Sequence, residues 1–243
     1  MNSKYLYLTV DFLSFIFPFL FSFYPKAPFY KKWKYLFVSI SITLIVFILW
    51  DILFTRLGIW GFNPDYITGI YFVNLPLEEV LFFICIPYAC MFTYEALNYL
   101  ILKDYLLPYH KIISSILIFI LLILGLLNIF KAYTGTTFIL LAFLLLFLVR
   151  RSKPTYMGRF YLSFLVIILP FLVVNGILTG SFIENEVVWY NDQANLGMRI
   201  GTIPVEDVFY GLLMLLLNIS IFEKLKTNDI SKRKSIKTSR HLL

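Results

Sequence analysis

Residues 76–83 read PLEEVLFF and residues 203–211 read IPVEDVFYG, and in each stretch a proline and two acids open a long apolar segment. The two stretches align at a constant offset of 128 residues, and the alignment extends over residues 63–95 and 191–223. The chain therefore contains two copies of one structural unit, and the paired acids occupy the same place in each copy.

The composition around these stretches is that of a membrane protein. Of the 243 residues, 60% are hydrophobic and 14% are charged, whereas soluble domains average about 45–50% apolar and about 25% charged residues. Apolar runs close to the roughly 20 residues of a spanning helix recur along the whole chain. A water-soluble globular fold is excluded, and we predict an all-α polytopic membrane helix bundle of about seven transmembrane helices. The predicted spans are residues 5–23, 35–54, 76–94, 112–130, 132–149, 160–179 and 204–222.

The repeat continues upstream, where WDILFT at residues 50–55 matches VNGILT at residues 174–179. Each copy then holds three spans, and one further span joins the copies. A shift of four spans preserves orientation, so we expect parallel repeats related by a twofold axis along the membrane normal. The predicted division is residues 1–105 for the first repeat, 106–131 for the linking helix, 132–225 for the second repeat and 226–243 for a basic cytoplasmic tail.

The basic residues predict which side of the membrane each terminus occupies. With seven spans, four of the 21 Lys and Arg residues fall on the N-terminal side, and the rest fall on the opposite side. Because basic residues concentrate in cytoplasmic loops, we expect a multi-pass protein of the cell membrane with its N-terminus outside and its C-terminus in the cytoplasm. The net charge of +7 then reflects topology, not nucleic-acid binding. The smaller group is Lys4, Arg56, Lys131 and Arg199, and the larger group includes Lys153 and the tail from Lys224 to Arg240.

Four acids at the starts of two predicted helices are the candidate catalytic residues. They are Glu78, Glu79, Glu206 and Asp207. A charged side chain deep in a bilayer costs at least about 2.5–3.5 kcal/mol, and burial favours an uncharged carboxyl group, which can donate a proton. A proline followed by acids is also ordinary helix-start chemistry. Two matching copies favour function, and Asp51 and Asn175, at matching positions on neighbouring spans, are predicted to support the acids.

Aromatic residues make up 19% of the chain. Phe82 follows Glu78 by four residues, and Tyr210 follows Glu206 by four residues, so each ring shares a helix face with an acid. Trp50 is adjacent to Asp51. Most of the other rings fit packing and interfacial anchoring, but ring faces beside acids also stabilise cations. Acid-initiated carbocation chemistry on an apolar polyene is therefore predicted.

The paired acidic stretches resemble the small integral-membrane lycopene cyclases, together with FPFLFSF at residues 17–23, WDILFTRLGIWGFNP at 50–64 and YACMFTYE at 88–95. In that family two subunits, or two fused halves, each carry a motif of the type P-x-E-[ED]-x-x-F. This chain looks like the fused form, and the resemblance runs from about residue 4 to residue 223. It departs from an exact repeat where Tyr210 stands for Phe82 and Asn175 stands for Asp51.

The resemblance implies a lycopene β-cyclase, an isomerase that converts lycopene to γ-carotene and β-carotene without net oxidation. One acid of the motifs would donate a proton and another carboxylate would remove one, with the assignment left open. Asp51 and Asn175 would orient the acids, and Trp50, Phe82 and Tyr210 would shield the cation. The expected partners are an apolar carotene that enters from the bilayer, membrane lipid and other enzymes of the carotenoid pathway.

No cofactor or metal is expected. The sequence has no G-x-G-x-x-G after a strand, as a flavin-binding fold would need, and His110 and His241 are its two histidines. A proton-coupled transporter, which also uses buried acids in parallel repeats, is the alternative function. A purely structural membrane partner is a further alternative, although it would not need duplicated acids.

Overall fold

The computed structural model describes residues 4–151 and 155–240, and the side chains of residues 4–150 and 155–231. Seven helices account for most of the described chain. They are α1 (Leu6–Phe21), α2 (Trp33–Arg56), α3 (Leu77–Leu100), α4 (His110–Leu127), α5 (Ala132–Arg151), α6 (Met157–Leu178) and α7 (Val205–Arg240). Lys153 and the last three residues of the predicted tail lie outside the described residues, and α7 continues through the rest of that tail.

The predicted all-α membrane bundle is confirmed. Six of the described helices, α2 to α7, are long and apolar enough to cross a membrane. α1 is apolar but has 16 residues, which at 1.5 Å per residue span about 24 Å of a hydrocarbon core that is about 30 Å thick. The first predicted span is therefore shorter than the sequence suggested, because the chain turns at Ser22 and does not continue as a helix.

Short strands precede α3 and α7. β1 (Trp60–Phe62) and β2 (Tyr71–Phe72) follow α2, and β3 (Leu75–Pro76) leads directly into α3. In the second half, β4 (Val188–Tyr190), β5 (Arg199–Ile200) and β6 (Ile203–Pro204) repeat this order before α7. The hairpins β2–β3 and β5–β6 fall at equivalent positions, since each of their residues differs from its counterpart by the same offset of 128.

β1 and β4 pair with each other and join the two halves. The pairing is antiparallel, with Trp60 opposite Tyr190 and Gly61 opposite Trp189. At the offset of 128, Gly61 is thus paired with its own repeat equivalent. The flanking bonds are also reciprocal: Asn63 N–H donates to Val187 O at 2.8 Å, and the equivalent Asn191 N–H donates to the equivalent Ile59 O at 2.9 Å. Such reciprocity is the property of a twofold axis.

The helices pack according to the same symmetry. α1 packs against α3 as α5 packs against α7, and α2 packs against α7 as α6 packs against α3. α4, which has no counterpart, packs mainly along α5. The strands β1 and β4 lie in the loops that lead into α3 and α7. The β1–β4 ribbon is therefore at the end of the bundle where both helices begin, and we call this end the acid end.

Candidate functional site

The first acid of each motif binds the backbone of the loop before its helix. Glu78 Oε1 accepts the N–H of Thr68 at 2.7 Å, and Glu206 Oε1 accepts the N–H of the equivalent Leu196 at 2.7 Å. Glu206 Oε1 also accepts the hydroxyl of Thr134 on α5 at 2.5 Å. Both side chains are fully buried. These two acids therefore fix the loops to the helix starts.

The second acid of each motif is held by tyrosine hydroxyls. Tyr7 on α1 donates to Glu79 Oε2 at 2.5 Å, and Tyr133 on α5 donates to Asp207 Oδ1 at 2.6 Å. Tyr190 of β4 donates to the other oxygen, Asp207 Oδ2, at 3.0 Å. The position equivalent to Tyr190 in the first half is Phe62, which has no hydroxyl, so the two acids differ in their hydrogen bonding.

Burial and the neighbouring Asp207 carboxyl raise the pKa of the Tyr190 hydroxyl well above its usual value of about 10. Tyr190 therefore keeps its proton and remains a donor to Asp207.

The structure gives the two predicted supporting residues different surroundings. Asp51 on α2 is buried, its Oδ1 accepts the indole N–H of Trp60, and its Oδ2 has no partner among the described residues. Asn175 on α6 donates to the backbone oxygen of Phe171 at 3.2 Å. Both side chains line the same cavity as Glu79 and Asp207.

Within the described residues, no lysine or arginine forms an ion pair with an acid of either motif. Lys131 donates to the backbone oxygen of Asn195, and Arg199 binds Asp192 and the backbone oxygen of Thr202. The cations at the acid end thus stabilise the loops. Burial without a counter-cation favours the uncharged form of a carboxyl group, because desolvation penalises the charge.

An apolar cavity of about 580 Å³ begins at these acids. Its walls are mainly α1, α3, α6 and α7, and the β1–β4 ribbon closes it at the acid end with Trp60, Phe62 and Tyr190. Along α3 it extends from Glu79 to Thr93, a distance of about 21 Å along the helix axis. The lining beyond the acids is almost entirely apolar.

The cavity reaches the lipid-facing surface between α1 and α6. Leu13 of α1 and Val173 of α6 both line it, and they are 54% and 56% exposed. An apolar molecule in the bilayer thus has a lateral path to the acids.

Of the four acids of the two motifs, Glu79 and Asp207 line the cavity, whereas Glu78 and Glu206 do not. Phe82 and Tyr210 also line it, and the Tyr210 hydroxyl is buried without a partner among the described residues. Trp50 lies behind the lining and contacts Tyr210, with ring centroids 5.2 Å apart. The structure therefore brings together the second acids, the supporting pair and two of the three predicted rings.

Sequence reasoning missed the two tyrosines that hold the second acids. Tyr7 and Tyr133 occupy matching positions in α1 and α5, but their offset is 126, because the loops between these helices and the later motifs differ in length. An alignment carried back into the first helix of each repeat would have found them. Asp11, four residues after Tyr7, is also buried, and neither of its oxygens has a partner among the described residues.

A second cavity of about 810 Å³ lies at the opposite end of the bundle. Its lining includes Glu95, which is paired with Lys32 and Lys226, and Glu223, which is paired with Lys226. The acids there are therefore neutralised by cations, unlike those of the motifs. Among the side chains that the structure describes, in residues 4–150 and 155–231, no group of three His, Cys, Asp or Glu residues is placed to hold a metal ion.

Fold and site together define an integral-membrane helix bundle of two repeats that buries carboxyl groups, with no cation paired to them among the described residues, at the closed end of an apolar cavity. The lycopene cyclase family model matches residues 4–97 and 130–225, one segment in each half, and the chain belongs to the lycopene cyclase family. The resemblance predicted from the sequence is confirmed.

A bifunctional lycopene cyclase/phytoene synthase of Aspergillus niger is 33% identical over 57 residues, which are 24% of this chain and 10% of that protein. The similarity thus covers only a small part of the relative's length. No solved structure matches the chain.

Proposed function

We propose that the protein is a lycopene β-cyclase, an isomerase of carotenoid biosynthesis that closes rings on the ends of a linear carotene. The observation that carries the proposal is the position of Glu79 and Asp207 at the closed end of an apolar cavity that reaches the lipid. Membership of the lycopene cyclase family supports it independently.

The reaction begins when a protonated carboxyl transfers its proton to the terminal double bond of the carotene. The resulting tertiary cation is attacked by the nearby internal double bond, which forms the ring and moves the positive charge into it. Loss of a ring proton to a carboxylate restores a double bond and leaves the β-ring. One proton enters and one leaves, so neither an oxidant nor a reductant is consumed.

Glu79 is our candidate for the proton donor. A single tyrosine hydroxyl binds its Oε2, which leaves Oε1 to carry the proton toward the cavity. Asp207 accepts hydroxyl bonds on both oxygens, and hydrogen bonds to a carboxylate favour its charged form. Asp207 is therefore better suited than Glu79 to carry a negative charge and stabilise the cation, while Asp51 or the deprotonated Glu79 removes the final proton.

Aromatic rings supply the remaining stabilisation. Phe82 and Tyr210 face the cavity beside the acids, and ring faces stabilise cations by roughly 0.5–2 kcal/mol. Trp50 contributes through Tyr210, since its ring packs behind that of Tyr210. The ribbon over the acids keeps water away from the cation.

The substrate would enter from the bilayer between α1 and α6, and membrane lipid would occupy that gap between turnovers. We further propose a place in the cell membrane, with the N-terminus outside, the C-terminus in the cytoplasm and the acid end outside. The distribution of basic residues supports this orientation, since Lys26, Lys31 and Lys32 line the cavity at the opposite end. Other carotenoid enzymes would exchange substrate and product through the same membrane.

The test is pigment analysis by chromatography in a lycopene-accumulating host that expresses the chain. Wild type is expected to produce β-carotene, and Glu79→Gln is expected to reduce ring formation by at least a hundredfold with the protein still in the membrane. The matched control is Glu95→Gln, the same change at a buried acid near the far end of α3, which should retain activity. Unchanged lycopene with well-folded wild-type protein would contradict the proposal.

A proton-coupled transporter remains the competing hypothesis. It would need a polar path along the bundle, whereas the cavity lining on α3 beyond Glu79 runs through Phe82, Phe83, Ile86, Pro87, Ala89, Cys90 and Thr93. Proton uptake into vesicles that depends on Glu79 without any change in pigment would favour the transporter.

A further inference from the structure

The twofold axis relates two positions in the bundle at which a cavity could form. One position is open and the other is filled with side chains. One lies between α3 and α6 beside α1, and it is the open cavity that contains Glu79. The other lies between α7 and α2 beside α5. The side chains at equivalent positions show why the second place is filled.

Aromatic rings occupy the second place. Trp50 is the repeat equivalent of Val174, at an offset of 124, and Phe83 is the repeat equivalent of Gly211, at an offset of 128. Val174 and Gly211 lie beside the open cavity. Phe47 stacks with Trp50 at 5.8 Å between ring centroids and contacts Phe83 at 6.1 Å. Phe47 and Phe83 are 1% and 2% exposed. Phe83 also lines the open cavity, so the second place is filled by Phe47 and Trp50, which contact Tyr210 of α7 at ring-centroid distances of 5.0 and 5.2 Å.

The open place has smaller side chains. Val174 and Gly211 both line the cavity, and the nearest atom to a Cβ added at Gly211 is the ring of Phe171 at 3.5 Å. Phe171 is the repeat equivalent of Phe47. Phe47 packs against the rings of Trp50 and Phe83, but Phe171 has Val174 and Gly211 at the equivalent positions. The space beside Phe171 therefore stays open.

Prolines distinguish the same two sides. α1, α3 and α6, which wall the cavity, contain Pro18, Pro87 and Pro170, and all three line it. A proline inside a helix removes a backbone hydrogen bond and bends the helix. The equivalent residues in α5, α7 and α2 are Leu144, Leu215 and Val46. Residues that bend helices thus occur on the side with the cavity and are absent from the equivalent positions of the other side.

We propose that the chain has one ring-forming site, at the α3–α6 cavity, and that the second repeat supplies walls and Asp207 but no site of its own. This inference rests on the proposed cyclase function. The two ends of a carotene would then enter the same cavity one after the other, and the one-ringed γ-carotene would leave or turn round between the two reactions.

Filling the cavity tests the inference. Val174→Trp places an indole in the open cavity, at the position equivalent to Trp50 in the closed half. It should reduce formation of both the first and the second ring of the carotene by at least tenfold. Leu169→Trp is the matched control, because Leu169 lies on the same helix, is 69% exposed and is outside the lining; it should keep ring formation within about twofold of wild type. A time course in wild type should show γ-carotene before β-carotene.

The outcomes separate this inference from the proposed function. If wild type forms no rings, the cyclase proposal fails. If wild type is active and Val174→Trp retains half or more of first-ring formation, a second site exists and the inference is overturned. Amount in the membrane and elution in detergent verify folding of each variant. Should Val174→Trp be lost from the membrane, Gly211→Leu fills the cavity from α7, and the same criteria apply.

Discussion

At the residue scale, the hydrogen bond from Tyr7 to Glu79 is the most direct test of how the acid is held. Tyr7→Phe removes only the hydroxyl that lies 2.5 Å from Glu79 Oε2. A hydrogen bond to an uncharged group contributes about 0.5–1.5 kcal/mol, and each 1.36 kcal/mol is a tenfold change in rate. We therefore expect cyclisation to slow by about two- to tenfold, measured as initial ring formation per amount of protein.

The control for this prediction is Tyr161→Phe, because Tyr161 is also buried and its hydroxyl lies 2.6 Å from that of Ser114, away from the acids. Its activity should stay near that of wild type. An equal loss in both variants would mean that the effect comes from packing and not from the acid.

The sequence could not show which of the two acids in each motif lines the cavity. Both follow a proline at a helix start, and adjacent residues on an α-helix point about 100° apart, so only one of them can face a given cavity. Which one faces it depends on the loop hairpin, whose backbone N–H groups at Thr68 and Leu196 take the first acid. That pairing involves residues ten positions away and leaves no periodic signal in the sequence.

At the scale of elements, the first acids should matter for stability, and unequally. Glu78→Ala removes the acceptor of one donor, the N–H of Thr68. Glu206→Ala removes the acceptor of two donors, the N–H of Leu196 and the hydroxyl of Thr134. An unsatisfied buried donor costs about 1–3 kcal/mol. Thermal unfolding in detergent should therefore show a larger decrease in Tm for Glu206→Ala, by about 2–4 °C for each additional kcal/mol.

The isosteric changes Glu78→Gln and Glu206→Gln provide the comparison, since an amide oxygen can still accept these bonds. They should lose much less stability than the alanine variants. Equal Tm values for Glu78→Ala and Glu206→Ala would contradict the unequal roles seen in the structure.

Helix positions were the part of the fold that the sequence predicted best. Long apolar runs located all seven helices, because a spanning helix requires such a run. The hairpins and the β1–β4 ribbon were not predicted, since strands of two or three residues such as β2 and β1 are too short for an alternating pattern. The extent of α1 was overestimated, because its end before Ser22 depends on the turn that follows.

At the scale of the whole molecule, the repeat predicted the symmetry but not which side of the symmetry axis holds the open cavity. The 128-residue offset is enough to expect two parallel units around an axis. The closed half depends on how Trp50 and Phe83 pack with Phe47, and single aromatic substitutions in an aromatic-rich chain do not reveal this. The asymmetry that matters for the site thus becomes visible only when equivalent positions are compared in space.

The joint between the halves gives the last prediction. Gly61 and Trp189 are repeat equivalents that face each other in the β1–β4 ribbon, so any side chain at one position meets the other. A Cβ added at Gly61 would lie 2.3 Å from the Trp189 ring, and only a glycine fits opposite that indole. Gly61→Ala should therefore separate the strands, lower the Tm and weaken the cover that Trp60 and Tyr190 form over the acids.

A double variant distinguishes this clash from a general effect of the substitution. Because the strain comes from contact with the indole, Gly61→Ala combined with Trp189→Ala should be more stable than the sum of the two single changes predicts, and neighbouring residues commonly couple by about 0.5–3 kcal/mol. The measurement is a double-mutant cycle of unfolding in detergent, with ring formation followed in parallel. Additive losses would mean that the ribbon tolerates the methyl group and that the halves are held together mainly by their helices.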